Sequence, residues 1–218
     1  MSGPVRVLLD LFFPPKCVFC AKPLRPGERE VCVHCAGHLP WLAGEKAVRT
    51  AGDCSQVVSP LRYEGPVRDS IRRYKFGGRR GYSGAYGKLV AGAVRTHLTG
   101  RYDVISWVPL SDKRRKERGY DQAFLLATAT ALELGDVAVE TLRKVRHVDA
   151  QSGLVADAAR AANVKNAYAA VDPELVEGRR VLLIDDVVTT GSTLSECART
   201  LLAAGALEVV GATLARAR

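Results

Sequence analysis

Asp185 and Asp186 stand side by side, after the apolar run Val181-Leu182-Leu183-Ile184 and before the turn Thr189-Thr190-Gly191-Ser192-Thr193. Glycine and small residues let backbone N–H groups converge on an anion, and a helix starting there adds the positive end of its dipole. The hydroxyls of Thr189, Thr190, Ser192 and Thr193 bring further donors, so the turn suits a phosphate monoester. Two adjacent carboxylates would repel a phosphate beside them and need a partner with donors of its own. A ribose diol, with or without a divalent cation, supplies them. Val188 to Thr193 therefore reads as a phosphate cradle, with Asp185 and Asp186 gripping the sugar hydroxyls. A lone Asp-Asp would be read as solvated acids in an ordinary strand-to-helix turn; the order strand, acid pair, hydroxyl turn, helix favours the sugar phosphate. Neither G-x-x-x-x-G-K-[ST] nor G-x-G-x-x-G follows this strand, which removes the usual grounds for ATP hydrolysis or dinucleotide binding.

Cations gather in two other places. Lys113, Arg114, Arg115, Lys116 and Arg118 put five charges into six positions of the segment 111–122, read as a loop. It follows a strand expected over 102–108, and open α/β sheets bind ligands beyond the carboxyl ends of their strands. Cations at such an edge suit an anionic ligand. The second run, Arg72-Arg73-Tyr74-Lys75-Phe76-Gly77-Gly78-Arg79-Arg80, holds five cations, two aromatics and two glycines. That mixture suits single-stranded nucleic acid, and equally a solvated basic turn.

Cys17-Val18-Phe19-Cys20 and Cys32-Val33-His34-Cys35 form two C-x-x-C pairs. Each pair turns two thiolates toward one point, and two pairs complete a closed tetrahedron around structural Zn²⁺. His34 and His38 are spare and expected to be exposed. Cys54 and Cys197 lack spaced partners and read as small apolar residues.

The elements that must position these groups follow from periodicity. Val5, Leu8, Leu9, Phe12 and Phe13 share one helical face, ended by Pro14-Pro15. A polar linker is expected near 44–54, then a strand over 56–63 and a helix opened by Pro66. Leu89, Val90, Ala93, Val94, His97 and Leu98 make a helical stripe, with His97 at the helix end. The helix 122–134 is expected to turn Phe124, Leu125, Thr128, Ala131 and Leu132 inward. Strands over 141–145, 168–171, 181–184 and 208–214 complete the pattern, with a helix after the phosphate turn ended by Gly205. Strands alternating with helices predict an α/β fold, a doubly wound parallel sheet. At 218 residues with 47% apolar content, the chain holds one ordinary domain and a small module. The net charge of +9 suits an anionic partner, either a pyrophosphate or nucleic acid. No signal peptide or membrane-length apolar stretch is evident, so a cytoplasmic location is expected.

The acid pair and its hydroxyl turn resemble the phosphoribosyl pyrophosphate loop of type I phosphoribosyltransferases. The wider chain resembles the ComF (ComFC-like) family. Lys75-Phe76-Gly77-Gly78 matches its Lys-Phe-x-Gly segment, and Arg118, Gly119 and Gln122 match its Arg-Gly-Phe-Asn-Gln run, where Tyr120 and Asp121 depart. Gln151, Leu154, Arg160, Asn163 and Val164 match Gln-x-x-Leu … Arg-x-x-Asn-Val. The resemblance implies a helix and four-cysteine zinc module over 1–50 and a phosphoribosyltransferase-type domain over 55–218. It implies phosphoribosyl pyrophosphate bound with Mg²⁺: ribose at Asp185 and Asp186, 5-phosphate at 188–193, pyrophosphate at Lys113, Arg114 and Arg118, and Gln151 among the contacts. A loop near 146–166 would close over the ligand, as in type I enzymes. The acceptor is not identified. The family's link to competence implies DNA uptake and a helicase-like partner, and leaves open a non-catalytic single-stranded DNA adaptor on the same fold.

Overall fold

A computed structural model of the chain describes residues 14–145 and 166–217. The N-terminal helix expected over 1–13, and Gln151, Leu154, Arg160, Asn163 and Val164, lie outside the described residues. After the cysteine pairs, α1 (Val33–His38) and a 3₁₀ turn (Gly44–Ala47) lead to β1 (Val48–Ala51), β2 (Cys54–Val58) and β3 (Leu61–Arg62). Then come α2 (Gly65–Phe76), α3 (Tyr82–His97), β4 (Val104–Trp107), α4 (Asp112–Arg118) and α5 (Gln122–Leu134). The chain continues through β5 (Leu142–Lys144), β6 (Tyr168–Ala170), β7 (Arg180–Val188), α6 (Ser192–Ala203) and β8 (Glu208–Arg216).

The main sheet runs β1-β2-β8-β7-β4, with β3 also paired to β8. All its pairings are parallel except β1 with β2. Strand β7, between β8 and β4, is buried on both sides, and the alternation of a strand divides its residues between two cores. Leu182 and Ile184 face α2, α3 and α5, packing with Ile71, Val90 and Leu126. Val181 and Leu183 face α6, packing with Leu194, Cys197 and Leu201. Helices on both faces of a largely parallel sheet make the doubly wound arrangement.

Three local expectations are corrected. The supposed linker near 44–54 is ordered: its residues Val48–Ala51 form an antiparallel edge strand. The strands near 141–145 and 168–171 do not extend the sheet but pair with each other, antiparallel, as a separate two-stranded unit. The inward face of α5 is rotated from the one expected. Ala123, Leu126, Ala127, Thr130 and Ala131 are buried, whereas Phe124 is 41% and Leu132 71% exposed. The physical reason is close packing against α3. A Cβ on Gly87 would lie 2.7 Å from Ala129 backbone, so small side chains must face that contact.

Candidate active site

The site forms where β7 and β4 end. Asp186 is buried and Asp185 half-buried at the close of β7. Asp185 accepts the Asp186 N–H at 2.8 Å, and Asp186 pairs with the Lys75 ammonium at 2.8 Å. Burial, with the Asp186 charge alongside, lifts the Asp185 carboxyl to about 7. For Lys75, burial works toward a lower pKa, and the Asp186 charge, its hydrogen bond and the Asp185 charge together outweigh it, so the ammonium is favoured.

The phosphate turn follows. Gly191 adopts φ +88°, which frees the chain to turn directly into α6, and its bare Cα sits against Ala51, whose Cβ a side chain would meet at 2.6 Å. The Thr190 and Ser192 hydroxyls lie 2.9 Å apart. Arg49, from β1, donates to the Thr189 carbonyl at 3.0 Å and the Thr190 carbonyl at 3.4 Å. Ser195 donates to the Asp53 carboxylate at 3.0 Å, tying the β1–β2 turn to the first turn of α6. A cavity of about 250 Å³, lined by Gly52, Thr190, Gly191, Ser192, Ser195 and Glu196, opens there. Of the expected contacts, Thr189 and Thr190 are exposed, Ser192 and Thr193 half-buried, and Val188 is a buried core residue.

A second cavity of about 210 Å³ holds the acids. Lys75, Arg114, Arg118 and Lys144 line it with Asp185, Asp186, Gln122, Tyr168 and Thr193. The segment 112–118 is a helix, not the loop expected. Ser111 caps it by accepting from the Arg114 N–H at 3.4 Å, and Gly119 ends it at φ +74°. Helical spacing sets Arg114 and Arg118 on one side, toward the cleft. Lys113 falls elsewhere: it is exposed and does not line the cavity. Arg118 donates to the side-chain carbonyl oxygen of Gln122 at 2.7 Å and lies over the Phe76 ring at 4.9 Å.

The residues Tyr120 and Asp121 are structural. The Tyr120 hydroxyl donates to the Tyr74 carbonyl, and the Tyr74 hydroxyl to the Gln122 backbone carbonyl at 2.8 Å. Asp121 caps α5, accepting from Phe124 N–H at 3.1 Å and Leu110 N–H at 3.0 Å. A carboxylate does this acceptor's work at least as well as an amide, so the departure at 121 leaves the frame intact.

Sequence reasoning does not single out three of the cleft residues as site residues. It groups Lys75 with a basic run, which the structure divides: Lys75 turns inward, Arg73 donates to the Phe19 carbonyl at 2.6 Å, and Arg72, Arg79 and Arg80 stay exposed. Lys144 and Tyr168 read from the sequence only as strand residues. Their pairing across β5 and β6 brings the Lys144 ammonium 5.1 Å from the Tyr168 ring. Burial, helped by the Arg114 charge, lowers the Lys144 pKa, as expected of a desolvated cation facing the cleft. The signals available for Lys75 are the match of Lys75-Phe76-Gly77-Gly78 to the family's Lys-Phe-x-Gly segment and its place at a helix's last turn, before Gly77.

Cys17, Cys20, Cys32 and Cys35 bring their sulfurs within 4.8 Å of one another. Cys20 and Cys32 Sγ lie 3.8 Å apart, close to the ~3.8 Å edge of a tetrahedron with Zn–S bonds of about 2.3 Å. Burial works to raise the Cys17 pKa, but the N–H groups of Cys20, Cys32 and Phe19 outweigh it and hold the thiol down to about 7. Burial and neighbouring sulfurs push Cys35 upward. A cation at the centre resolves that conflict, and the set fits structural zinc. His34 and His38 stack on each other at 4.5 Å and are exposed, outside the cluster. Cys54 and Cys197 are core residues, and burial lifts Cys54 to about 12.

Fold and site together define a phosphoribosyltransferase-type α/β domain joined to a cysteine-ligand zinc module. Residues 121–218 match the phosphoribosyl transferase domain and residues 8–61 the double zinc ribbon domain. Competence protein F of Haemophilus influenzae is 32% identical over 209 residues, covering 92% of this chain and 90% of that protein. The DNA utilization protein YhgH of Salmonella typhi is 33% identical, covering 88% and 86%. The chain belongs to the competence protein F (ComF) family. Among solved structures, glutamine phosphoribosylpyrophosphate amidotransferase from B. subtilis is 25% identical with a TM-score of 0.44, covering 64% of this chain. The chain spans 30% of that enzyme's length. Among the described residues, no helix is long and apolar enough to cross a membrane.

Proposed function

We propose that the cleft binds phosphoribosyl pyrophosphate with Mg²⁺ and that the protein is a phosphoribosyltransferase whose acceptor is still to be found. The observation that carries this reading is the order of charges along one edge of the sheet. The hydroxyl turn at the start of α6 offers a phosphate site, Asp185 and Asp186 offer acceptors for ribose hydroxyls, and Arg114, Arg118, Lys75 and Lys144 offer cations for a pyrophosphate. The carboxylates are hard oxygen donors of the kind Mg²⁺ takes through a phosphorylated substrate, so the residues present fit the ion. Asp185 and Asp186 would help hold Mg²⁺, which would neutralise charge on the pyrophosphate. The chain's own part is positioning and electrostatic: fixed donors at both anionic ends, and carboxylates near a ribose that becomes more positive as its bond to pyrophosphate breaks. Gln151 would add a contact, and the thiol-rich zinc module suits a reducing, cytoplasmic setting.

Calorimetry tests the reading. Micromolar binding in Mg²⁺ that Asp185→Asn with Asp186→Asn abolishes supports it; equal binding by that variant defeats it. Pyrophosphate release with a nucleophile would then establish catalysis.

A second reading is favoured by Phe76, which is 71% exposed and lies beneath the Arg118 guanidinium beside exposed Arg79 and Arg80. An aromatic platform among cations suits stacked bases. On this reading the protein is a single-stranded DNA adaptor in DNA uptake, working beside a helicase. It does not exclude the sugar-phosphate site.

A further inference from the structure

Lys75 meets Asp186 at the floor of the cleft. Its side chain is 22% exposed and that of Asp186 11%, so the pair is largely withdrawn from water. Among the described residues, no other Lys or Arg pairs with either acid. A merely structural pair would sit at the edge of the core; this one lines the same cavity as Arg114, Arg118 and Lys144. Four cations therefore surround two carboxylates. A divalent ion entering alone must displace one ammonium and stand among three further positive charges. A ligand bearing phosphate and pyrophosphate reverses that balance, because it satisfies the cations that the ion would otherwise confront.

The helix carrying Lys75 is tied to its surroundings by the side chains of three neighbouring residues. The Ser70 hydroxyl donates to the Val18 carbonyl, Arg73 donates to the Phe19 carbonyl, and the Tyr74 hydroxyl donates to the Gln122 carbonyl. With the helix tied in this way, rotation about the four-carbon stem is the route by which the ammonium can leave Asp186. Lysine is suited to this, being a point charge on a flexible tether without the fixed fork of arginine.

We propose that Lys75 is a built-in counter-ion: it closes the acid pair to divalent cations in the empty protein and passes to the incoming ligand's phosphates when the sugar pyrophosphate enters. The first half needs only the acid pair and its neighbours. The second half rests on the proposed ligand.

The test uses the zinc-loaded full chain and Mn²⁺ alone, followed by electron paramagnetic resonance. Lys75→Met binds Mn²⁺ at least ten times more tightly than wild type, and Lys75→Met with Asp186→Asn loses that gain. Lys75→Arg, which keeps the charge, stays as weak as wild type. Lys75→Gln serves in place of the Met variant if the latter does not fold. Neutral variants that bind Mn²⁺ no better than wild type overturn the counter-ion role. A second arm adds phosphoribosyl pyrophosphate and Mg²⁺. Where wild type binds, Lys75→Met binds at least tenfold more weakly; equal affinity overturns the transfer. Wild type that fails to bind defeats the proposed ligand and the transfer together, and the Mn²⁺ result still decides the first half.

Discussion

Asp185 keeps a carboxyl where burial and a neighbouring acid disfavour its charge, and that has a measurable sign. Its folded pKa, about 7, lies above the ordinary 3.8. Between those values the folded chain holds a proton that the unfolded chain has lost, so this group's contribution to stability falls as pH rises from about 4 to about 7. Asp185→Asn removes that loss. The variant is expected to melt near wild type at pH 4 and above it at pH 8, by several degrees in calorimetry, while losing the proposed ligand. A variant less stable than wild type at pH 8 would contradict the burial argument. Gly191 is constrained differently. Ala there meets both the left-handed backbone, which costs about 1–2 kcal/mol, and the Ala51 contact at 2.6 Å. Gly191→Ala should cost about 2 kcal/mol or more in denaturant unfolding and weaken binding at the turn.

Helix α2 links the first cysteine pair to the cleft. Its Ser70 and Arg73 hold the carbonyls of the first cysteine pair, and two residues later Lys75 reaches the acid pair. Removing zinc should therefore be felt in the cleft: a strong chelator is expected to lower the melting temperature and weaken ligand binding together. Chelation that leaves both unchanged would mean the cysteines serve no structural metal. The contact of α3 with α5 gives a cleaner packing test. Gly87→Ala puts a methyl into Ala129 backbone, and should cost about 1–3 kcal/mol. Much of this level was legible in the sequence. The run 181–184 and the cysteine spacing are local patterns, and they formed the buried strand and the four-sulfur cluster expected of them; the acid pair and the hydroxyl turn lie at the strand's end as their order along the chain requires, and their ligand is a proposal. The helical state of 112–118 was hidden because a charged run has no apolar period, and its stability comes from Ser111 and Gly119. The facing of α5 was hidden because Ala, Leu and Thr occur all around it, so packing against Gly87 decided the face. Lys75, Lys144 and Tyr168 reach the cleft through long-range pairing, which spacing does not encode.

The charge of +9 is unevenly used over the whole molecule. Arg114, Arg118, Lys75 and Lys144 turn into the cleft, while Arg72, Arg79 and Arg80 remain on the surface near Phe76. If single-stranded DNA binds, its affinity should fall with log salt by a slope of ~0.7 per phosphate neutralised. Replacing Arg72, Arg79 and Arg80 by Ala should flatten the slope; Arg73 is left in place because it holds the zinc module. An unchanged slope removes the surface patch from the account. The cleft's use of its cations depends on whether the sheet edge takes a sugar phosphate, and the surface patch stands or falls on the salt dependence alone. The most direct measurement is titration calorimetry of the zinc-loaded chain with phosphoribosyl pyrophosphate in Mg²⁺, beside the Asp185→Asn, Asp186→Asn double variant. The account predicts micromolar, one-to-one binding by wild type and none by the variant. A folded wild-type protein that releases no heat with this ligand and shows no protection from melting would contradict it.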